Sequence, residues 1–381
     1  MTAISPGAPT QPDFPAAELP AANRSPVQAL TSLRFFAALA VLWFHSGSAV
    51  LLESGRVPAP LLNILRNGYL GVSFFFVLSG FILTYVYSGQ MGRPDALKRF
   101  YLARFARVYP VYLLTILAML PFVSCQSATN CLPQFFLLQM WPTLQAGQFE
   151  NWNGPAWTLS VELLFYLLFP LLLAGLSRLS GAGLGAAVAG LAALMVAGRL
   201  PGISALENTP FPILTYLPLP MLRVPEFAFG IGLALQFLRR RAGQGMGWLP
   251  HASIALTIAI MATSQSPWVA PFAAIGFGLV IFSVTAFLRE GYLAWFLSSR
   301  LMVLLGGASY SFYLLQAPLH FWLHAGFTGP LELTGRLIYQ PLLLVLAVLV
   351  FWLVEEPVRS VIKYGSPARK QASTATAEAA P

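Results

Sequence analysis

Charge is scarce in this chain. Only 9% of its 381 residues are Asp, Glu, Lys or Arg, against about 25% in a soluble domain, so an ordinary soluble fold is excluded. Cysteine is scarcer still. Cys125 and Cys131 are the whole complement, which rules out a disulfide-built scaffold or a cysteine-rich metal cluster. Histidine occurs four times, in no metal-ligand cluster or His-rich tract, and no metal is expected. What remains is apolar: 57% hydrophobic residues and a mean hydropathy of +0.69 describe a polytopic membrane protein. A net charge of +9 would suggest nucleic acid in a soluble protein. Here its placement follows membrane topology, and no nucleic-acid partner is expected.

Ten apolar segments are traced, at about residues 30–52, 68–88, 108–124, 156–175, 182–199, 214–238, 251–266, 269–287, 302–323 and 337–355, where about 20 residues are needed to span. The expected fold is all-α, a transmembrane helix bundle of about ten spans with both termini cytoplasmic. With the N-terminus inside, 16 of the 22 Lys and Arg fall in inside loops and tails, four fall outside, and Arg34 and Arg223 lie in spans. That bias is the positive-inside rule. Residues 1–27 and 363–381 are expected as disordered tails around a membrane domain at 28–362. The polar, Pro/Ala-rich start lacks the layout of a cleaved signal peptide, so the first span serves as an uncleaved signal. The seventh and eighth segments meet near Ser266 and Pro267, which suits a tight hairpin. The outside loop at about 125–155 holds both cysteines and no Lys or Arg. A disulfide and two free thiols fit it equally.

Several constellations can carry chemistry. Arg34 and His45 are the only ionisable groups of LTSLRFFAALAVLWFHSGSAVLL. Eleven positions make about 1100° of helical rotation, so both project from one face roughly 16 Å apart. Ionisable groups at membrane depth are functional candidates: Arg offers a donor fork for phosphate and His a base. The plain alternative is a snorkelling Arg and a packed His. Small residues in GYLGVSFFFVLSGFIL read as helix packing. In KRFYLARFARVYPVY, Arg104 and Arg107 share a face, either anchoring to anionic lipid or docking an anionic carrier. In NGPAWTLSVELLFYLLFP, Glu162 lies at a depth near that of His45. It either orients the imidazole or pairs with Arg223, which has Glu226 one turn on. Tyr310, Tyr313, Gln316, His320 and His324 form a polar stripe at spacings of three and four, with the two histidines read as sitting at the outer interface beside Trp322.

In this order the segments resemble the integral-membrane acyltransferase family three, bacterial O-acyltransferases of surface glycans, lipids and some antibiotics. The resemblance runs from about Leu30 to Arg359. It rests on Arg34 and His45 separated by ten residues, FFFVLSGFIL, the Arg104/Arg107 stretch ending VYPVY, WTLSVELLFYLLFP, GGASYSFYLLQAP and the closing EEPVR. It implies transfer of an acyl group, commonly acetyl, from cytoplasmic acyl-CoA to a hydroxyl. By that resemblance His45, with Arg34 and Glu162, is catalytic. Arg34, Arg104, Arg107 and Tyr310 face the acetyl-CoA donor, and Trp157, Tyr166, Arg223 and Gln316 face the acceptor. Gln316 stands where the family often has His, which puts a second-histidine role there in doubt. The appended hydrolase-like domain of some members is not expected here, so a two-step relay would need a separate partner.

The expected function is therefore O-acetylation, in the bacterial inner membrane, of a sugar in an exopolysaccharide, surface glycan or lipid-linked precursor. The expected partners are acyl-CoA, the glycan acceptor, the lipid bilayer and proteins of polysaccharide biosynthesis. O-acylation of a macrolide-type small molecule is the alternative within the class. A glycan or lipid flippase, and a structural subunit of an export complex, are the alternatives outside it.

Overall fold

A computed structural model describes residues 24–47, 57–125, 127–142, 149–199, 217–240, 246–326 and 333–364. The expected tails lie almost wholly outside these residues. Within them the regular structure is helical, and each of the ten apolar segments forms helix. Helix α1 (Arg24–Leu42) ends in a π-helical turn, Trp43–Gly47. Then come α2 (Gly71–Tyr87), α3 (Ala96–Met119), α4 (Trp157–Ser177), α5 (Gly181–Ala197) and α6 (Val224–Arg239). The remainder are α7 (Leu249–Thr263), α8 (Val269–Phe287), α9 (Arg300–Leu314), α10 (Gln316–Gly326), α11 (Leu333–Val350) and α12 (Glu356–Tyr364). Among the described residues, seven helical stretches are long and apolar enough to cross a membrane, while α5 and α7 are apolar but shorter. The chain is a multi-pass membrane protein.

Glycine sets the closest helix approaches, as the small-residue pattern led us to expect. A Cβ on Gly80 of α2 would strike the Phe227 carbonyl of α6, and one on Gly230 would strike the Val77 carbonyl in return. Helix α1 is wedged in the same way: Gly71 of α2 lies on the Ala37 carbonyl and Gly306 of α9 on that of Thr31. Arg34 sits between those two contacts, so the wedge drives its side chain into the seam between α2 and α9. Stacked rings of Phe165 and Phe227, 4.5 Å apart, fix α4 against α6. The expected hairpin is α7–α8. The Asn67 amide clips it by donating to the Met261 and Ser264 carbonyls, each at 2.8 Å.

The ninth apolar segment is not one helix. Pro318 has no N–H to give the Leu314 carbonyl, and the helix breaks at Leu315. The Asn153 amide, arriving from the turn before α4, donates to that carbonyl at 3.0 Å. Cys125 and Cys131 are joined as a disulfide, which resolves the two readings of the loop.

Candidate active site

Two cavities open along α1, one above the other, and α1, α2, α4 and α9 wall both. The first, about 160 Å³, is lined by Arg34 of α1, Arg104 and Arg107 of α3, Glu162 and Tyr166 of α4 and Tyr310 of α9, closed by apolar side chains such as Phe75. The second, about 110 Å³, is lined by His45, Ser73, Trp157, Arg223 and Tyr313 together with Tyr69 and Phe44.

Charge dominates the first cavity. Three guanidiniums face a single lining carboxylate, Glu162, which accepts a hydrogen bond from the Tyr166 hydroxyl at 2.7 Å. Arg107 is ion-paired with Glu355, a fully buried carboxylate in the π-helical turn Phe351–Glu355. Its guanidinium also lies 5.3 Å from the centre of the Tyr310 ring. The Tyr310 hydroxyl donates to the Val108 carbonyl at 2.7 Å, so tyrosine and arginine are braced by the same stretch of α3. Ser311 donates to Glu355 at 3.1 Å, and Arg359 lies 3.9 Å from it. Arg104 rests on Tyr87, 5.7 Å from the ring centre, and its Nε is buried without a hydrogen-bond partner. Among the described residues Arg34 has no carboxylate within ion-pair distance, although the charge of Glu162 acts on it across the cavity. With Arg107 neutralised from behind, Arg34 and Arg104 still outweigh Glu162. A buried site with excess positive charge is complete only when an anion arrives.

The second cavity is lined by two guanidiniums, Arg199 and Arg223, and by no carboxylate among the described residues. Arg223 is paired with Glu226 at 2.9 Å, and its guanidinium lies 5.9 Å from the Trp157 ring. Glu226 also accepts from Ser73 at 3.2 Å. The Tyr313 hydroxyl donates to the Pro155 carbonyl at 3.0 Å. The His45 imidazole is exposed in this aromatic setting, 5.0 Å from the Phe44 ring. Among the described residues it takes no hydrogen-bond partner, so either ring nitrogen can receive a proton.

Nine of the ten candidate residues line one cavity or the other. Gln316 lines neither: it lies at the helix break, buried, with both amide atoms lacking hydrogen-bond partners. The two proposed partners of Glu162 are also corrected. Glu162 meets neither His45 nor Arg223; it belongs to the Arg34 cavity, and Glu226, in the first turn of α6 three residues after Arg223, is near enough to claim Arg223 first. Arg34 and His45 do share one seam, as their spacing predicts, but at different levels of it. His320 and His324 lie on the exposed end of α10 beside Trp322, which donates to the Ala118 carbonyl at 2.9 Å. The residue that sequence reasoning missed is Glu355. Its EEPVR motif was visible, but nothing in the spacing links it to Arg107.

The sequence is similar to those of known acyltransferases. The chain is 33% identical over 315 residues to the acyltransferase MdmB of Streptomyces mycarofaciens, covering 75% of this chain and 77% of that protein. It is 25% identical over 164 residues to the peptidoglycan O-acetyltransferase OatA of Listeria monocytogenes, covering 39% of this chain and 24% of that protein. It is 26% identical over 160 residues to the O-acetyltransferase OatA of Staphylococcus aureus, again 24% of that protein. The chain thus spans most of the first relative and about a quarter of the other two. No solved structure matches it. The family model of the acyltransferase domain, acyltransferase family 3, matches residues 27–356. Nearly the whole helical bundle, both cavities included, falls within that match: the chain belongs to acyltransferase family 3 and is a membrane-embedded acyltransferase.

Proposed function

We propose that the chain moves an acyl group, acetyl first among them, from acyl-CoA to a sugar hydroxyl of a membrane-tethered glycan in the bacterial inner membrane. The observation that carries this is the excess of guanidinium in a buried cavity stacked directly on a cavity holding an exposed imidazole. Arg34 and Arg104 suit the phosphates of a CoA carrier, because guanidinium forms strong charge-assisted bonds to them. Arg107, held by Glu355, keeps the wall in place. The cavity is too small for the whole carrier, so the diphosphate sits against its arginines and the acylated arm points on toward His45, while the adenosine stays at the mouth. Inside loops rich in Lys and Arg favour a cytoplasmic mouth.

His45 supplies the base. The acceptor hydroxyl attacks the thioester carbonyl as His45 takes its proton. A carbon–oxygen bond forms, the carbon–sulfur bond breaks, and the thiolate leaves to be protonated to the free thiol. General-base help of this kind is worth roughly 10²–10⁴ in rate. Trp157 and Tyr69 offer flat apolar faces beside the imidazole, suited to a sugar ring. The relatives named as O-acetyltransferases, one of them of peptidoglycan, favour a polymeric glycan.

The test is acyl transfer by the purified protein in lipid nanodiscs, with acetyl-CoA as donor and release of free thiol as the readout. Cell-envelope glycan from a strain lacking the protein serves as acceptor. Arg34→Ala should raise the half-saturating acetyl-CoA concentration by about 10- to 100-fold, the worth of one hydrogen-bonded charge contact. Failure of the intact protein to consume acetyl-CoA would defeat the reading.

A further inference from the structure

Transfer requires the acyl group to pass from the arginine-lined cavity to the one holding His45, yet the two are separate spaces. The wall between them is thin. On α9, Tyr310 lines the first cavity and Tyr313 the second, one helical turn apart. On α2, Phe75 lines the first and Ser73 the second. The rings of Phe75 and Tyr313 meet edge-on across the seam, 6.1 Å between centres and 62° between planes. They are not equally free. Tyr313 is nearly buried and its hydroxyl is tied to the Pro155 carbonyl at 3.0 Å. Phe75 is only partly buried, has no polar tether, and has open cavity on one side. Swinging Phe75 on its rotamers is therefore the cheaper way to join the two spaces.

We propose that Phe75 and Tyr313 form the partition between the donor and acceptor cavities, with Tyr313 as the fixed post and Phe75 as the moving leaf. On this assignment Phe75 determines specificity: the gap it leaves on turning sets how long an acyl group can reach His45. This rests on the proposed acyl-CoA-dependent reaction. The closed ring also keeps water off the waiting thioester, since water reaching it from the His45 side would yield free carboxylic acid and thiol. In an apolar passage one methylene is worth roughly 10- to 200-fold in discrimination, so changing the ring should show directly in chain-length preference.

The experiment compares acetyl-, propionyl- and butyryl-CoA as donors for the purified protein in nanodiscs, reading kcat/KM for each and the rate of thiol release without acceptor. Phe75→Ala should raise the butyryl-to-acetyl ratio at least tenfold and increase acceptor-independent hydrolysis. Phe75→Leu should move both readings the same way by less, and it guards against a folding defect in the smaller variant. Phe75→Trp should cut acetyl transfer at least tenfold while leaving the Kd for desulfo-CoA unchanged. If the intact protein transfers acetyl but Phe75→Ala and Phe75→Leu keep its chain-length ratio and hydrolysis rate, the partition is wrong and the proposed reaction stands. If the intact protein uses no acyl-CoA, both fall together.

Discussion

The two cavities along α1 share four helices and little of their chemistry. In the first, three arginines face one carboxylate, and a fifth charge, Glu355, stands behind the wall and, of the three, pairs with Arg107 alone. In the second, Arg199 and Arg223 line the space, Glu226 pairs with Arg223, and the rings of Phe44, Tyr69, Trp157 and Tyr313 stand around the imidazole. The difference separates two tasks. A space that must attract a multiply charged carrier keeps surplus positive charge, because desolvated guanidinium is most strongly satisfied by an incoming anion. A space that must lend and receive a proton has no carboxylate in its described lining to hold the imidazole in its charged form.

Four substitutions can break or sharpen this contrast. The largest effect belongs to the second cavity. His45→Ala should reduce kcat for acyl transfer by roughly 10²–10⁴ while leaving the Kd for desulfo-CoA unchanged; equal loss of binding and turnover would mean that the two spaces do not divide the work. Next comes the support of the first cavity. Glu355→Gln leaves the Arg107 charge buried and unpaired, a change that costs about 3–5 kcal/mol where a buried pair loses one partner. The detergent-solubilised protein should show it as a lowered unfolding midpoint, and an unmoved midpoint would mean that Arg107 is neutralised elsewhere. The smallest effect is expected outside both cavities. His320→Ala and His324→Ala should leave transfer within about twofold of the intact protein, because exposed side chains away from a site rarely change it. A large loss would move the acceptor site toward α10.

Much of this was legible in the sequence. The ten apolar segments were visible because burying backbone polar groups in lipid permits little but helix. The common seam of Arg34 and His45 followed from an eleven-residue interval on a helix. Arg104, Arg107 and Tyr310 could be grouped through motif order. What could not be read was partnership across distant parts of the chain. Glu162 had two plausible partners in sequence, His45 and Arg223, and helix packing, through Gly71 and Gly306, set it across a cavity from Arg34 instead. Glu355 reaches Arg107 only because α11 and its π-helical turn return to α3, a contact that no local pattern encodes. Gln316 looked like part of a polar stripe, but Pro318 broke the helix beneath it and turned it away from the seam.

That break has a consequence for anyone recombining this chain with a relative. The Leu314 carbonyl, orphaned by Pro318, is completed by Asn153, which belongs to a segment more than a hundred residues earlier. The loop before α4 and the fracture in the ninth span thus behave as lock and key. A chimera that exchanges one without the other strands a hydrogen-bonding group inside the bundle, so crossover points should keep Asn153 and Pro318 from the same parent.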